Sequence, residues 1–119
     1  MKETVSHIWI EAEEWAPGQW TPDDDNTDVI VTLSDGSKWV ASFFSYKNIC
    51  SLSENNRETG ECLSGKYFWA SDMILADEVS RERIEEIIAH LMRQGPLELQ
   101  SIFSRIEQDV EQADDGDDA

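Results

Sequence analysis

The sequence predicts an α+β fold: a mainly antiparallel sheet of about four strands with two C-terminal helices packed on one face. Three features of the 119-residue chain carry that expectation. Period-two alternation and β-branched or aromatic runs dominate residues 4–46 and return at residues 66–75, whereas apolar stripes at helical spacing fill residues 80–106. Between two of the strand-like runs lies Asp35-Gly36, a pair typical of tight hairpins.

Residues 4–15 begin with Ile8, Ile10 and Ala12 on one side and Trp9, Glu11 and Glu13 on the other, the pattern of a half-buried strand. Ala16-Pro17-Gly18 breaks it. Residues 21–26 have the composition of an exposed loop, because Pro22 lacks a donor and Asp and Asn cap turns with their own side chains. Residues 28–33 and 38–46 supply the two hairpin strands, the second long and aromatic. Ile49 and Leu52 predict a short helix or irregular excursion over residues 46–56, closed by a turn at residues 58–61.

Residues 66–75 read as another strand, with Phe68, Ala70, Asp72 and Ile74 on one face and Tyr67, Trp69, Ser71 and Met73 on the other. Ser80 caps a helix whose Ile84, Ile87, Ile88, Leu91 and Met92 form one apolar stripe, and Gly95 ends it. Pro96 fits the first turn of a second helix, with Leu99, Ile102, Phe103, Ile106 and Val110 facing inward. This organisation gives a single α+β domain over residues 1–107 and an acidic tail, expected to be disordered, over residues 108–119.

The formal net charge is −17, from 26 acids and nine bases, and it is concentrated. Residues 11–28 hold Glu11, Glu13, Glu14, Asp23, Asp24, Asp25 and Asp28 without a Lys or Arg, and residues 107–119 hold another seven acids without a base. The remaining twelve acids face all nine bases, as in an ordinary domain. Such charge opposes binding to nucleic acid or to an anionic membrane and favours a basic partner, whose approach it accelerates. No apolar run approaches the ~18 residues of a membrane helix, and the opening lacks a secretion signal, so a cytoplasmic protein is expected.

Parts for catalysis are few. His7 and His90 are the only imidazoles, Cys50 and Cys62 form neither a CxxC pair nor a zinc pattern, and there is no nucleophile elbow, phosphate-cradling loop or H-E-x-x-H. Asp23, Asp24 and Asp25 lack the alternating oxygens and distal Glu of a calcium loop. We therefore expect no catalytic, cofactor or metal site. Trp15 and Trp20 bracket the acidic loop, either as interface anchors ringed by steering charge or as a packed sheet edge. Trp39, Phe43, Phe44, Tyr46, Tyr67, Phe68 and Trp69 exceed what one core face easily holds, although each singly suits a core. Asp72 is unusual within an apolar run and reads as a buried hydrogen-bonding acid or as part of a pocket with Ser71 and Trp69.

The runs VIVTLSDGSKWVASFFSYKNI and TGECLSGKYFWASDMILADE, about half of the chain at residues 28–78, resemble small acidic immunity proteins of bacterial polymorphic toxin and contact-dependent inhibition systems. The resemblance implies a cytosolic antitoxin that binds one cognate toxin domain, often a nuclease, and covers its active site or an adjacent surface. Combined with the charge, it leads us to expect a contact surface of Glu11, Glu13, Glu14, Trp15, Trp20, Asp23, Asp24, Asp25 and Asp28 toward a basic toxin domain. The alternatives are a nucleic-acid mimic that inhibits DNA-binding proteins, or a small enzyme using Asp72, Tyr67 or Cys62.

Overall fold

In the computed structural model, which describes residues 4–107, five strands form one mixed, mainly antiparallel sheet, and two helices near the C-terminus pack on one of its faces. The strands are β1 (Val5–Ile10), β2 (Asn26–Leu33), β3 (Lys38–Ser45), β4 (Met73–Ala76) and β5 (Ser104–Ile106). The helices are α1 (Tyr46–Thr59), the single turn α2 (Glu61–Gly65), α3 (Arg81–Arg93) and α4 (Pro96–Ile102). The sheet runs in the order β1-β2-β3-β4, and β5 lies beside β3. The expected acidic tail falls outside the described residues.

Side-chain alternation decides the two faces. Direct pairing aligns Ile10 with Val29 and Ala41, Ile8 with Val31 and Trp39, and Thr27 with Phe43 and Ile74. On that face Ile10, Val29, Val31, Leu33, Ala41 and Phe43 are buried against Val79, Ile84, Ile88, Leu99 and Phe103, with Phe43 and Phe103 meeting edge to face at 6.2 Å. Truncating a buried aromatic such as Phe43 removes about 3–5 kcal/mol. The hairpin turns at Asp35-Gly36 as its composition predicts: Gly36 has φ +87°, and the Asp35 carboxylate accepts bonds from the Ser37 amide and hydroxyl.

Four elements differ from the sequence expectation. The first strand stops at Ile10, and a 3₁₀ turn over Glu11–Glu14 turns Ala12 into the core, where its amide donates to the buried Thr27 hydroxyl at 2.9 Å. The middle helix is longer than expected, because Ser45 caps it and Gly60, with φ +88°, closes it. Residues 66–72 are not strand. Asp72 adopts φ +53°, a left-handed conformation open to Asp, and this lets only the four residues that follow pair with β3. That pairing is parallel, with α1 and α2 in the crossover.

The last helix ends at Ile102, and Ile106 enters β5 instead of a helix face. Strand β4 covers β3 only from Ser42 to Ser45, so Lys38 to Val40 would otherwise keep unpaired backbone groups, which β5 takes up. Arg105 then stacks over Trp39 at 5.8 Å.

Turn α2 is the most strained part of the backbone. Cys62, Leu63 and Ser64 have φ near +52 to +58° and ψ near +42 to +50°, one turn of left-handed helix between Gly60 and Gly65. Each non-glycine residue held so costs about 1–2 kcal/mol. Lys66 N–H returns to the Cys62 carbonyl at 3.0 Å, and the Ser53 hydroxyl donates to the Gly65 carbonyl at 2.8 Å.

The 3₁₀ turn is clamped to α3 by Glu13. Its carboxylate accepts Arg81 Nε–H and Nη2–H at 2.5 and 2.8 Å, and Arg81 also donates to the Ile8 carbonyl and to Glu85. Hydrogen bonding from Arg81 holds the Glu13 carboxyl below its ordinary range against the opposing effect of burial, and the Arg81 guanidinium is correspondingly raised. The folded chain thus keeps Glu13 ionised to lower pH than the unfolded chain does. The clamp's contribution is complete above the ordinary value of 4.5 and fades as pH falls through the lower folded value. Glu13→Gln should lower stability by roughly 0.5–1 kcal/mol at pH 7, a magnitude discounted for solvent screening, and the gap should narrow on acidification, as urea midpoints at both pH values will show.

Candidate protein-binding face

The acidic segment joins the starts of two helices. Asp24 and Asp25, both half-buried, lie against the first turns of α1, which has no acid of its own there. The Asp24 carboxylate accepts from Asn48 Nδ2 and the Ser51 hydroxyl at 3.3 and 3.1 Å. Asp25 donates its amide to the Ser45 hydroxyl, accepts the Ser45 amide on its carbonyl, and uses its two carboxylate oxygens for the Thr21 and Asn26 amides. Negative charge at this position compensates the partial positive charge of a helix N-terminus. Pro22, one turn earlier, accepts the Val79 amide at 2.7 Å just before the Ser80 cap of α3. With the Glu13 clamp, the segment is fastened to α3 as well as to α1.

The nine residues expected to form one contact surface therefore separate. Glu13, Asp24 and Asp25 are occupied in the scaffold. Trp15 and Trp20 are half-buried against the core, the packed alternative, and the Trp20 indole N–H is buried without an acceptor. Asp23 is exposed and meets Lys47 at 3.7 Å, with both side chains about two-thirds exposed, a pair worth little in water.

Glu11, Glu14 and Asp28 are brought together elsewhere. The register places Trp9, Ile30 and Val40 side by side across β1, β2 and β3 on the face opposite α3 and α4. These three are half-buried, in contrast to the buried residues behind them. The Trp9 indole donates to Glu14 Oε2 at 3.3 Å, Glu11 Oε1 accepts the Asp28 amide at 3.4 Å, and Asp28 Oδ1 accepts the Ser42 hydroxyl at 2.8 Å. The result is an apolar stripe bordered at one end by three carboxylates, each accepting one hydrogen bond from a neighbour. Charged residues that ring an aromatic centre suit recognition of a protein. The sequence signal for this face was the alternation that set Trp9 and Glu11 opposite Ile8 and Ile10; its pairing with Ile30 and Val40 needed the strand register.

Other sites are modest. Among the described residues no group of three His, Cys, Asp or Glu side chains converges as a metal site. One recess of about 230 Å³ lies between the hairpin turn and β5 and includes Asp35, Lys38 and Arg105; another of about 290 Å³ lies on α3 and includes Arg83, Glu86, His90 and Arg93. Neither is lined by Asp72, Tyr67 or Cys62. Asp72 serves through its backbone, its carbonyl accepting the Ser42 amide at 2.9 Å.

Comparison with protein-family models, with curated proteins and with solved structures finds no match. The two classes of acid should behave differently on substitution. Asp25→Ala should cost about 1–3 kcal/mol by leaving the part-buried Asn26 amide and the exposed Thr21 amide without their acceptors, while Asp28→Ala should stay within about 0.5 kcal/mol. Urea denaturation of the two variants will check this.

Proposed function

We propose that this chain is an immunity protein, a non-enzymatic inhibitor that neutralises a basic bacterial toxin domain, a nuclease by class, through one-to-one binding in the cytoplasm. The observation that carries the reading is the face on which Glu11, Glu14 and Asp28 border the half-buried stripe of Trp9, Ile30 and Val40. A nuclease presents Lys and Arg to bind phosphates, and the same side chains are attracted by carboxylates held against a rigid sheet. Long-range attraction from a −17 chain accelerates encounter, and the apolar stripe, once desolvated, slows departure. The 2.8 Å bond from the Ser42 hydroxyl orients the Asp28 carboxylate before binding, so less side-chain freedom is lost at that position. The resemblance of residues 28–78 to immunity proteins and the concentration of acids in residues 11–28 support the same class of partner.

The proposal requires that a gene adjacent to this one encode a basic toxin domain, and the test uses that domain. Stopped-flow association with the chain carrying Glu11→Gln, Glu14→Gln and Asp28→Asn should be about tenfold slower at low salt, with a flatter salt dependence. An association rate and salt slope equal to those of the unsubstituted chain would remove this face from the mechanism. Absence of any complex with the unsubstituted chain would remove the function.

A further inference from the structure

The excursion from α1 to β4, residues 60–72, displays apolar side chains that the fold does not use. Leu63 is 69% exposed, Tyr67 52% and Trp69 67%, three of the six large apolar residues most exposed among the described residues, within a span of seven positions. Phe68, between Tyr67 and Trp69, turns the other way and closes over Phe44 edge to face at 5.4 Å. The backbone is thus anchored at Phe68 while its neighbours point to solvent.

Leu63 sits in the left-handed turn, φ +52°, supported on both sides by glycines. Gly65 has no room for a side chain: a Cβ there would stand 2.3 Å from the Ser53 carbonyl oxygen. A turn that presses its backbone onto α1 and adopts a costly conformation, yet buries none of its own residues, gains no core packing in return. What it does accomplish is the outward placement of Leu63, four positions before Tyr67 in the chain.

We infer that residues 63–69 form the apolar anchor of a protein interface whose occupant is a basic protein, in which Trp69 and Tyr67 fill recesses on the partner. Charge selects that occupant over a second copy of this chain. Residues 50–72 carry Glu54, Glu58, Glu61 and Asp72 against Arg57 and Lys66, and two copies, each at −17, repel on approach. Trp and Tyr bring large, rigid contact area, and their loss is felt in dissociation more than in encounter. This inference rests on the proposed neutralisation of a basic toxin domain and adds to it a second, apolar contact.

The experiment measures dissociation of the full chain from the adjacently encoded basic toxin domain that the proposed function requires, for the unsubstituted chain, for Trp69→Ala alone and for Leu63→Ser, Tyr67→Ser and Trp69→Ala combined. All substituted side chains are exposed, and retained far-UV circular dichroism and urea midpoint establish that the variants are folded. The expected result is dissociation at least tenfold faster in the triple variant, several-fold faster for Trp69→Ala, and an association rate within twofold of the original. A triple variant that leaves at the original rate overturns the anchor and spares the proposed function, whereas an unsubstituted chain that never binds overturns both. Sedimentation velocity supplies the remaining outcome: a dimer of the unsubstituted chain that the triple variant abolishes assigns these residues to a second copy and overturns the inference.

Discussion

Around the apolar core, carboxylates fasten one acidic segment to the beginnings of two helices. A helix start exposes amides that have no partner within the helix, together with partial positive charge, and α1 begins without an acid of its own. Asp24 and Asp25 supply the missing charge from a loop that precedes β2, and Glu13 grips Arg81 at the start of α3. One acidic stretch thus sets where α1 leaves the sheet and how α3 is held against β1. Ile84 and Ile88 of α3 share one buried cluster with Val29 and Val31 of β2.

This use of charge bears on how an acidic protein recognises a partner. A net charge of −17 attracts any basic surface from a distance, but specificity needs a few carboxylates in defined places. In this chain the scaffold consumes part of the acidity and leaves Glu11, Glu14 and Asp28 on one sheet face, each held by a hydrogen bond from its own neighbourhood. The opposite face carries the core. Alternation fills the second face of the sheet with Trp9, Ile30 and Val40, beyond the end at which Phe68 covers Phe44 and Asn48 of α1 meets Asn26.

The other investment lies in the crossover. A left-handed turn of three non-glycine residues and a positive φ at Asp72 are costly local choices, and both lie between α1 and β4. Strained backbone persists where the surrounding structure over-determines it, and here Gly65 against Ser53 and Phe68 against Phe44 do so. Tyr67 and Trp69, which flank Phe68, are the side chains held outside as a consequence. The surplus of aromatic residues visible in the sequence is resolved in this way: Phe43 and Phe44 are buried, Trp39 and Phe68 half-buried, and Tyr46, Tyr67 and Trp69 exposed.

The sequence by itself determined the elements whose signals are local. Alternation at Ile8 and Ile10, the Asp35-Gly36 turn, the Ser80 cap and the stripe from Ile84 to Met92 specify β1, the hairpin and α3, and strands preceding helices specify α+β, because each depends on neighbours within a few residues. It also located the acids, but it could not divide them. Whether Asp25 fastens a loop or meets a partner depends on Ser45, twenty positions away, and whether Glu13 is free depends on Arg81, sixty-eight away. The same limit hid β5, which forms because a short β4 leaves half of one edge of β3 unpaired, and it made residues 66–72 resemble strand, since their alternation is strand-like but pairing with β3 starts only at Met73. Tertiary structure alone decided which carboxylates and which aromatics stay available, because availability is what remains after long-range pairing has been satisfied.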